Sequence, residues 1–297
     1  MKIYVILKPS KHRDNIIYLL KDHIMRYFSI CKCMIAVDSD YSINNTFNNN
    51  INKFEVHDSS YYDIYIKHLF LNCPVKITDG VIFSNENWIV SKYPNGFLYN
   101  YLPYNIKATV NKKMNEWYIY VPSDFQDHYN DGCMRDLCLF YSDQVMIYPW
   151  LMKNKGLFLH GNGLIKNNKG IILLGESGSG KTTLTKMLIS DGWSLLCDDR
   201  TIIIDNVMYS HWCHGSYNKI ININSVFNNI FFLNQSNVSE INESKGTLEF
   251  INAVVGYFGV DESYMINKYN RILNKGVSPM NINFNLSGDI ISKINNL

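Results

Sequence analysis

Residues 170–189 read GIILLGESGSGKTTLTKMLI, and no other stretch limits the fold of this chain so tightly. Gly170–Leu174 is a short apolar run, which predicts a buried strand. Residues 175–182, GESGSGKT, match the phosphate-loop pattern GxxxxGK[ST] in full. Leu184, Met187 and Leu188 then fall at i, i+3 and i+4, so a helix follows, and Gly192 supplies its C-terminal stop. Strand, glycine loop and helix in this register belong to an α/β fold.

The residue types explain the chemistry. Glycines let the chain turn so that successive backbone N–H groups converge on phosphate oxygens. The expected nucleotide contacts are Gly175, Glu176, Ser177, Gly178, Ser179 and Gly180, followed by Lys181, Thr182 and Thr183 at the start of the helix. Lys181 supplies a cation for the β- and γ-phosphates, and Thr182 a hydroxyl for Mg²⁺. The helix turns its positive end toward the same phosphates. ATP with Mg²⁺ is the expected ligand.

The next apolar run, Trp193–Cys197, ends in Asp198-Asp199. A helix of about ten residues, at ~1.5 Å per residue, carries the chain back along one strand. The two strands can therefore lie parallel in one sheet, with both C-terminal ends at the phosphate edge. Asp198 and Asp199 then sit beside Thr182. One carboxylate can hold the metal and the other can accept a proton from an attacking hydroxyl. Spacing alone does not order these two roles.

Composition excludes other functions. The 297 residues carry 28 Lys and Arg against 26 Asp and Glu, a net charge of +2. Residues 1–150 hold 15 of each sign, and 151–297 hold 13 basic and 11 acidic, so neither half has the basic excess of a nucleic-acid-binding domain. No run of 18 apolar residues predicts a membrane span. The opening MKIYVILKPS breaks at Lys8-Pro9, too early for an export signal. The cysteines (Cys31, Cys33, Cys73, Cys133, Cys138, Cys197 and Cys213) are odd in number and include no CxxC, so they read as free thiols of a cytoplasmic protein.

Outside the phosphate motif, residues 3–7 read as a strand and 13–29 as a helix, from the stripe Ile16, Ile17, Leu19, Leu20, Ile24, Met25 and Phe28. The Asn-rich stretch 41–53 reads as a loop or linker. Residues 54–122 show short alternating runs bounded by Gly, Asn and Pro, which predict antiparallel hairpins. Residues 132–152 read as a helix that Pro149 ends or kinks. A domain boundary is expected near 125–130. This divides an α+β, β-rich N-terminal domain (1–125) from a phosphate-loop domain (126–297).

LHGNGLI…GIILLGESGSGKTTLTKMLISDGWSLLCDD resembles the kinase domain of HPr kinase/phosphorylase and its relatives. The matching residues are His160-Gly161, Gly175–Thr182, Asp198-Asp199 and Arg200. More weakly, 211–235 is similar to a loop-then-strand segment of the smaller divergent members. The resemblance implies a fold of the HPr kinase and phosphoenolpyruvate carboxykinase type, and phosphoryl transfer from ATP to a hydroxyl, usually of a serine. It implies Asp198 as general base, Asp199 as Mg²⁺ partner with Thr182, and His160 and Lys181 near the transferred phosphate. The glycine-rich motif that engages HPr is not evident after Asp199. The chain's size and β-rich N-terminal part look closer to the kinases that phosphorylate the C-terminal serine of lasso-peptide precursors.

The expected function is thus ATP-dependent phosphorylation of a peptide or small protein, with no nucleic-acid or membrane partner. The N-terminal half selects the acceptor or forms a homo-oligomer contact. The alternatives are a kinase of a small molecule such as free serine, and a nucleotide-binding regulatory module with little turnover. His211, Cys213 and His214 lack zinc-ligand spacing. With Trp212 they suggest either a loop over the ligand or a structural turn. Arg271 is a candidate γ-phosphate cation or a surface residue. The aromatic run 97–104 reads as sheet packing or a peptide-facing surface.

Overall fold

The computed structural model describes residues 24–39, 47, 49–75, 80–122, 136–138, 143–212, 220–255, 262–285 and 289–297. The strand expected at 3–7 and the boundary expected at 125–130 lie outside these residues. So do Cys133, Cys213 and His214.

The first sheet uses β1 (Ile24–Ile30), β2 (Cys33–Ser39), β3 (Glu55–Val56), β4 (Ile64–Leu69), β5 (Val81–Ser84), β6 (Trp88–Tyr93), β7 (Gly96–Tyr101), β8 (Ile106–Asn111) and β9 (Glu116–Tyr120). Their spatial order is β3-β1-β2-β4-β9-β8-β7-β6-β5. The hairpins expected from the alternating runs are present from β5 to β9. The centre is not antiparallel, because β4 pairs in parallel with both β2 and β9.

Two sequence expectations are corrected here. The helix expected over 13–29 is a strand in its described part. Arg26, Phe28 and Ile30 alternate onto the buried face, and β1 pairs with β2 through seven residue pairs. Ile24 and Phe28 fit both periods, and cross-strand pairing decides between them. The stretch expected as a loop or linker over 41–53 contains the helical turn α1 (Asn49–Asn52), with Asn50 and Ile51 buried.

Of the helix expected over 132–152, Asp143–Lys153 forms α2 with Pro149 inside it, residues 136–138 are not helical, and 132–135 and 139–142 lie outside the described residues. The second sheet follows with β10 (Gly156–Lys166), β11 (Lys169–Leu174), β12 (Ser194–Cys197), β13 (Arg200–Ile204), β14 (Val207–Tyr209), β15 (Asn224–Val226), β16 (Asn229–Gln235), β17 (Glu240–Glu243) and β18 (Ser278–Phe284). Helix α3 (Lys181–Ser190) links β11 to β12. The remaining helices are α4 (Thr247–Ala253), α5 (Glu262–Leu273) and α6 (Asp289–Asn295).

Strand β10 is the axis of this sheet. Asn167 and Asn168 at φ 50° and 63° turn it into its antiparallel neighbour β11. Its other edge pairs first with β13 and then with β12, both antiparallel. β11 and β12 are therefore parallel to each other, as expected, but β10 lies between them. β16 and β18 continue in parallel from β11. The C-terminal ends of β11, β12, β16 and β18 all point to one edge, where open α/β sheets bind their ligands.

One face of the second sheet contributes Leu157, Leu159, Ile172, Leu174 and Ile230 to a cluster completed by Phe250 and Tyr269. Phe158, Leu164, Ile171 and Leu173 join a larger cluster that also contains Phe28, Ile66 and Trp117 of the first sheet. Contact between the two parts includes Phe54 against Trp212, with ring centroids 5.1 Å apart, and Lys53 Nζ donating to the Ile220 carbonyl at 2.9 Å.

Candidate active site

The loop 175–180 leaves β11 and enters α3 through Gly180, at φ 97°. A Cβ there would lie 2.5 Å from Cζ of Phe284, at the end of β18. Only glycine supplies both the left-handed backbone and the close approach. Gln235, at the end of β16, donates Nε2–H to the Gly178 carbonyl at 2.7 Å. The loop is thus braced by the ends of two neighbouring parallel strands.

Lys181 Nζ donates to the carbonyls of Gly175 at 2.5 Å and Glu176 at 3.0 Å, so its ammonium lies across the loop. Its pKa is lowered, first by desolvation and further by Arg200, with Asp199 opposing. Thr182 and Thr183 are exposed on the first turn of α3. The Ser179 hydroxyl is buried with no hydrogen-bond partner among the described residues.

Asp198 and Asp199 interrupt a single run, β12 to β13, that lies along one edge of β10. Leu174, the last residue of β11, pairs with Gly161 of β10, and the Gly161 N–H donates across to the Asp199 carbonyl at 3.2 Å. The start of the phosphate loop and the carboxylate pair are therefore separated by one strand. At ~4.8 Å between neighbouring strands the span is about 10 Å. Gly161 is needed here, since a Cβ would meet Leu174 Cδ2 at 2.4 Å and the Leu173 carbonyl at 2.6 Å.

The two carboxylates differ in setting. Asp198 is 5% exposed. Asp199, at φ 81°, has its side chain about a third exposed and held by two bases. Arg200 Nη1 donates to Asp199 Oδ2 at 2.6 Å, and His160 Nδ1 lies 3.0 Å from Asp199 Oδ1. Arg200 Nη1 also contacts His160 Nδ1. The expected site residues His160, Lys181, Asp198 and Asp199 thus gather at one sheet edge with the loop.

Sequence reasoning passed over Asn162. It is buried, its Oδ1 accepts the Asp199 N–H at 2.9 Å, and its Nδ2 donates to Thr185 Oγ1 of α3 at 2.8 Å. The available signal was its place two residues after His160, which puts both on one face of β10. A cavity of about 470 Å³ opens beside the loop, with His160, Glu249, Asn252 and Asn281 in its walls. The last three lie in later segments and carry no motif.

Other expectations fail or reduce to packing. His211 and Trp212 are buried, not poised over a ligand. Their rings stack at 5.1 Å, and Trp212 Nε1 donates to Asp143 Oδ2 at 2.7 Å. Arg271 pairs with Asp205 at 3.1 Å and is 46% exposed, which fits its surface reading. In the aromatic run, Tyr99 and Tyr101 are buried while Leu102 and Tyr104 are exposed. Cys31, Cys33, Cys73, Cys138 and Cys197 are free thiols.

Among the described residues no group of three or more His, Cys, Asp or Glu side chains forms a metal centre. Thr182 is exposed on the first turn of α3, and both carboxylate oxygens of Asp199 are engaged by His160 and Arg200. Among the described residues no helix is long and apolar enough to cross a membrane.

A family model described as SynChlorMet cassette protein ScmC matches residues 134–242, which include His160, the loop and both Asp residues. Comparison with curated proteins gave no match. Among solved structures, the chain is similar to the HPr(Ser) kinase/phosphatase from Coxiella burnetii. The two are 12% identical with a TM-score of 0.24, over 47% of this chain and 94% of that one.

Proposed function

We propose that this chain is an ATP-dependent phosphotransferase with an alcohol acceptor. The observation that carries it is the row Leu174–Gly161–Asp199, which sets a carboxylate pair one strand away from a complete phosphate loop. A loop that only bound nucleotide would need no such pair. Loop amides, Lys181 and the N-terminus of α3 hold the phosphates. Thr182 and Asp199 are the residues for Mg²⁺, which when bound neutralises charge on the β- and γ-phosphates. Asp198 accepts the acceptor's hydroxyl proton as the new O–P bond forms and the bond to the leaving ADP breaks.

The finer reading is a serine of a peptide or small protein, of the kind modified in ribosomal peptide tailoring, with the N-terminal half selecting it in the cytoplasm. Supporting this is β5, an edge strand among the described residues with Val81, Ile82 and Phe83 all exposed, where an extended peptide can add as a further strand. Incubation with γ-labelled ATP, Mg²⁺ and a panel of serine peptides, small alcohols and free serine tests the assignment. Label should appear on a hydroxyl acceptor. Release of label only as free phosphate, or its retention as ATP, would reject it.

A further inference from the structure

Away from the phosphate loop, one cationic cluster contains a buried lysine that the fold leaves without a partner. Lys268 of α5 is 6% exposed, and its ammonium makes no hydrogen bond or ion pair among the described residues. Lysines are rarely buried unless something pairs them, because leaving water costs the ammonium its solvation. Tyr269 and Ile272 anchor the same helix in the core.

Three further charged residues surround it. Arg271 follows three residues later on the same helix face and pairs with Asp205 at 3.1 Å. Asp205 opens the turn between β13 and β14. Gly156 pairs with Ile204 at the end of the β10–β13 ladder, so Lys155 and Asp205 stand opposite each other just beyond it. Both leave the ladder at positive φ, 57° and 54°. Burial lowers the Lys268 pKa, Asp205 raises it, and Arg271 and Lys155 lower it, so all three charges reach the ammonium. Three cations thus face one carboxylate, and Arg271 already holds that carboxylate. The side chains of Arg271 and Asp205 are 46% and 37% exposed, so the cluster opens to solvent.

This place is separate from the nucleotide site. Gly156 is four residues from His160 along β10, about 13 Å at ~3.3 Å per residue. None of Lys155, Asp205, Lys268 and Arg271 lines the cavity beside the loop.

We propose that Lys155, Lys268 and Arg271 form a second oxyanion site, which takes the dianion of a phosphate monoester. The charge count selects the class. Once Arg271 and Asp205 offset each other, Lys155 and Lys268 leave two positive charges. A phosphate monoester brings about two negative charges and three acceptor oxygens at neutral pH. A monocarboxylate would neutralise only one of the two lysines. Asp205 competes with the ligand for the same cations. The site goes beyond the phosphotransferase reading and does not rest on it.

The test titrates ethyl phosphate into the full chain by calorimetry, with Mg²⁺ and a non-hydrolysable ATP analogue filling the phosphate loop. One equivalent should bind. Lys268→Met keeps the apolar stem and should weaken binding at least tenfold, the size expected for one charge-assisted contact. Asp205→Asn should tighten it several-fold by removing the competing carboxylate, a gain that damage to the fold cannot mimic. Acetate should bind at least tenfold more weakly than ethyl phosphate. Lys268→Met should keep or raise the parent's thermal midpoint, since it removes a buried charge without a partner. A fall would show that the fold itself supports the ammonium and would count against the site. Lys181→Ala, titrated without nucleotide, should bind ethyl phosphate as the parent does. The proposal fails if ethyl phosphate does not saturate, if Lys268→Met leaves its affinity unchanged, if Asp205→Asn weakens it, or if acetate binds equally well. It also fails if Lys181→Ala abolishes the binding, which would put the phosphate in the loop. A phosphoserine heptapeptide separates the sources of the ester. Tighter binding than ethyl phosphate supports a peptide-borne phosphate at the site, and equal or weaker binding supports a small free ester there.

Discussion

The side-chain amide of Asn162 accepts the backbone N–H of Asp199 at 2.9 Å, and so ties the carboxylate pair to the central strand of the second sheet. Its other end donates to Thr185 on the helix that follows the phosphate loop. One buried amide therefore fixes the distance between the two halves of the site. Asn162→Ala should leave the Asp199 N–H and the Thr185 hydroxyl without these bonds and cost about 1–3 kcal/mol of stability. The urea midpoint reads that loss. Phosphoryl transfer should fall further than the stability loss explains, because Asp199 is no longer held in register.

Lys181 is the one cation in the loop sequence. Lys181→Ala should weaken ATP binding and reduce transfer about 10²–10³-fold, the loss of about 3–4 kcal/mol that one preorganised charge contact supplies. Steady-state kinetics with labelled ATP checks this. Turnover equal to the parent's would remove the loop from the mechanism.

The two aspartates should separate by variant. Asp198→Asn keeps the shape but cannot take a proton, so it should retain Mg-ATP affinity within a few-fold and lose most transfer. Asp199→Asn should weaken Mg²⁺ dependence and loosen Arg200 and His160, whose shared carboxylate it neutralises. Calorimetric titration with Mg-ATP, beside the transfer assay, distinguishes them. Loss of nucleotide binding in both variants would make both carboxylates metal-site residues.

Stability should fall as pH rises from about 6.5 to 8. Burial, reinforced by Asp136, pushes the Asp143 carboxyl up to about 8, against the N–H groups of Leu137 and Cys138 and the Trp212 indole. The folded chain then keeps a proton that the unfolded chain releases near pH 4, so stability declines across that window. Buried His68 acts oppositely. Its pKa is lowered to about 4, so stability is lost as pH drops from 6.5 toward 4. Above 6.5 the Asp143 slope stands alone of the two, and it amounts to about 2 kcal/mol by pH 8. Urea unfolding at pH 6.5 and 8 measures it. Asp143→Asn should flatten that difference, and an unchanged slope would rule out Asp143 as its source.

The sequence by itself determined the local unit around the loop. The run 170–174, the glycines and the spacing of Leu184, Met187 and Leu188 describe contacts within about 20 residues, where period and turn chemistry decide the structure. The α3 stop at Gly192, the Asn167-Asn168 turn and the strand that ends just before Asp198 follow from the same local rules. Tertiary structure decided what depends on pairing between distant segments. Residues 24–30 fit two periods, and seven cross-strand pairs made them a strand. That β10 lies between β11 and β12, and that Asn162 joins Asp199 to Thr185, depend on sheet order, which hydrophobic period does not encode. Trp212 looked available to a ligand until Asp143 and Phe54 were packed against it. Glu249 entered the cavity wall only because α4 bridges back onto β10, some ninety residues away along the chain.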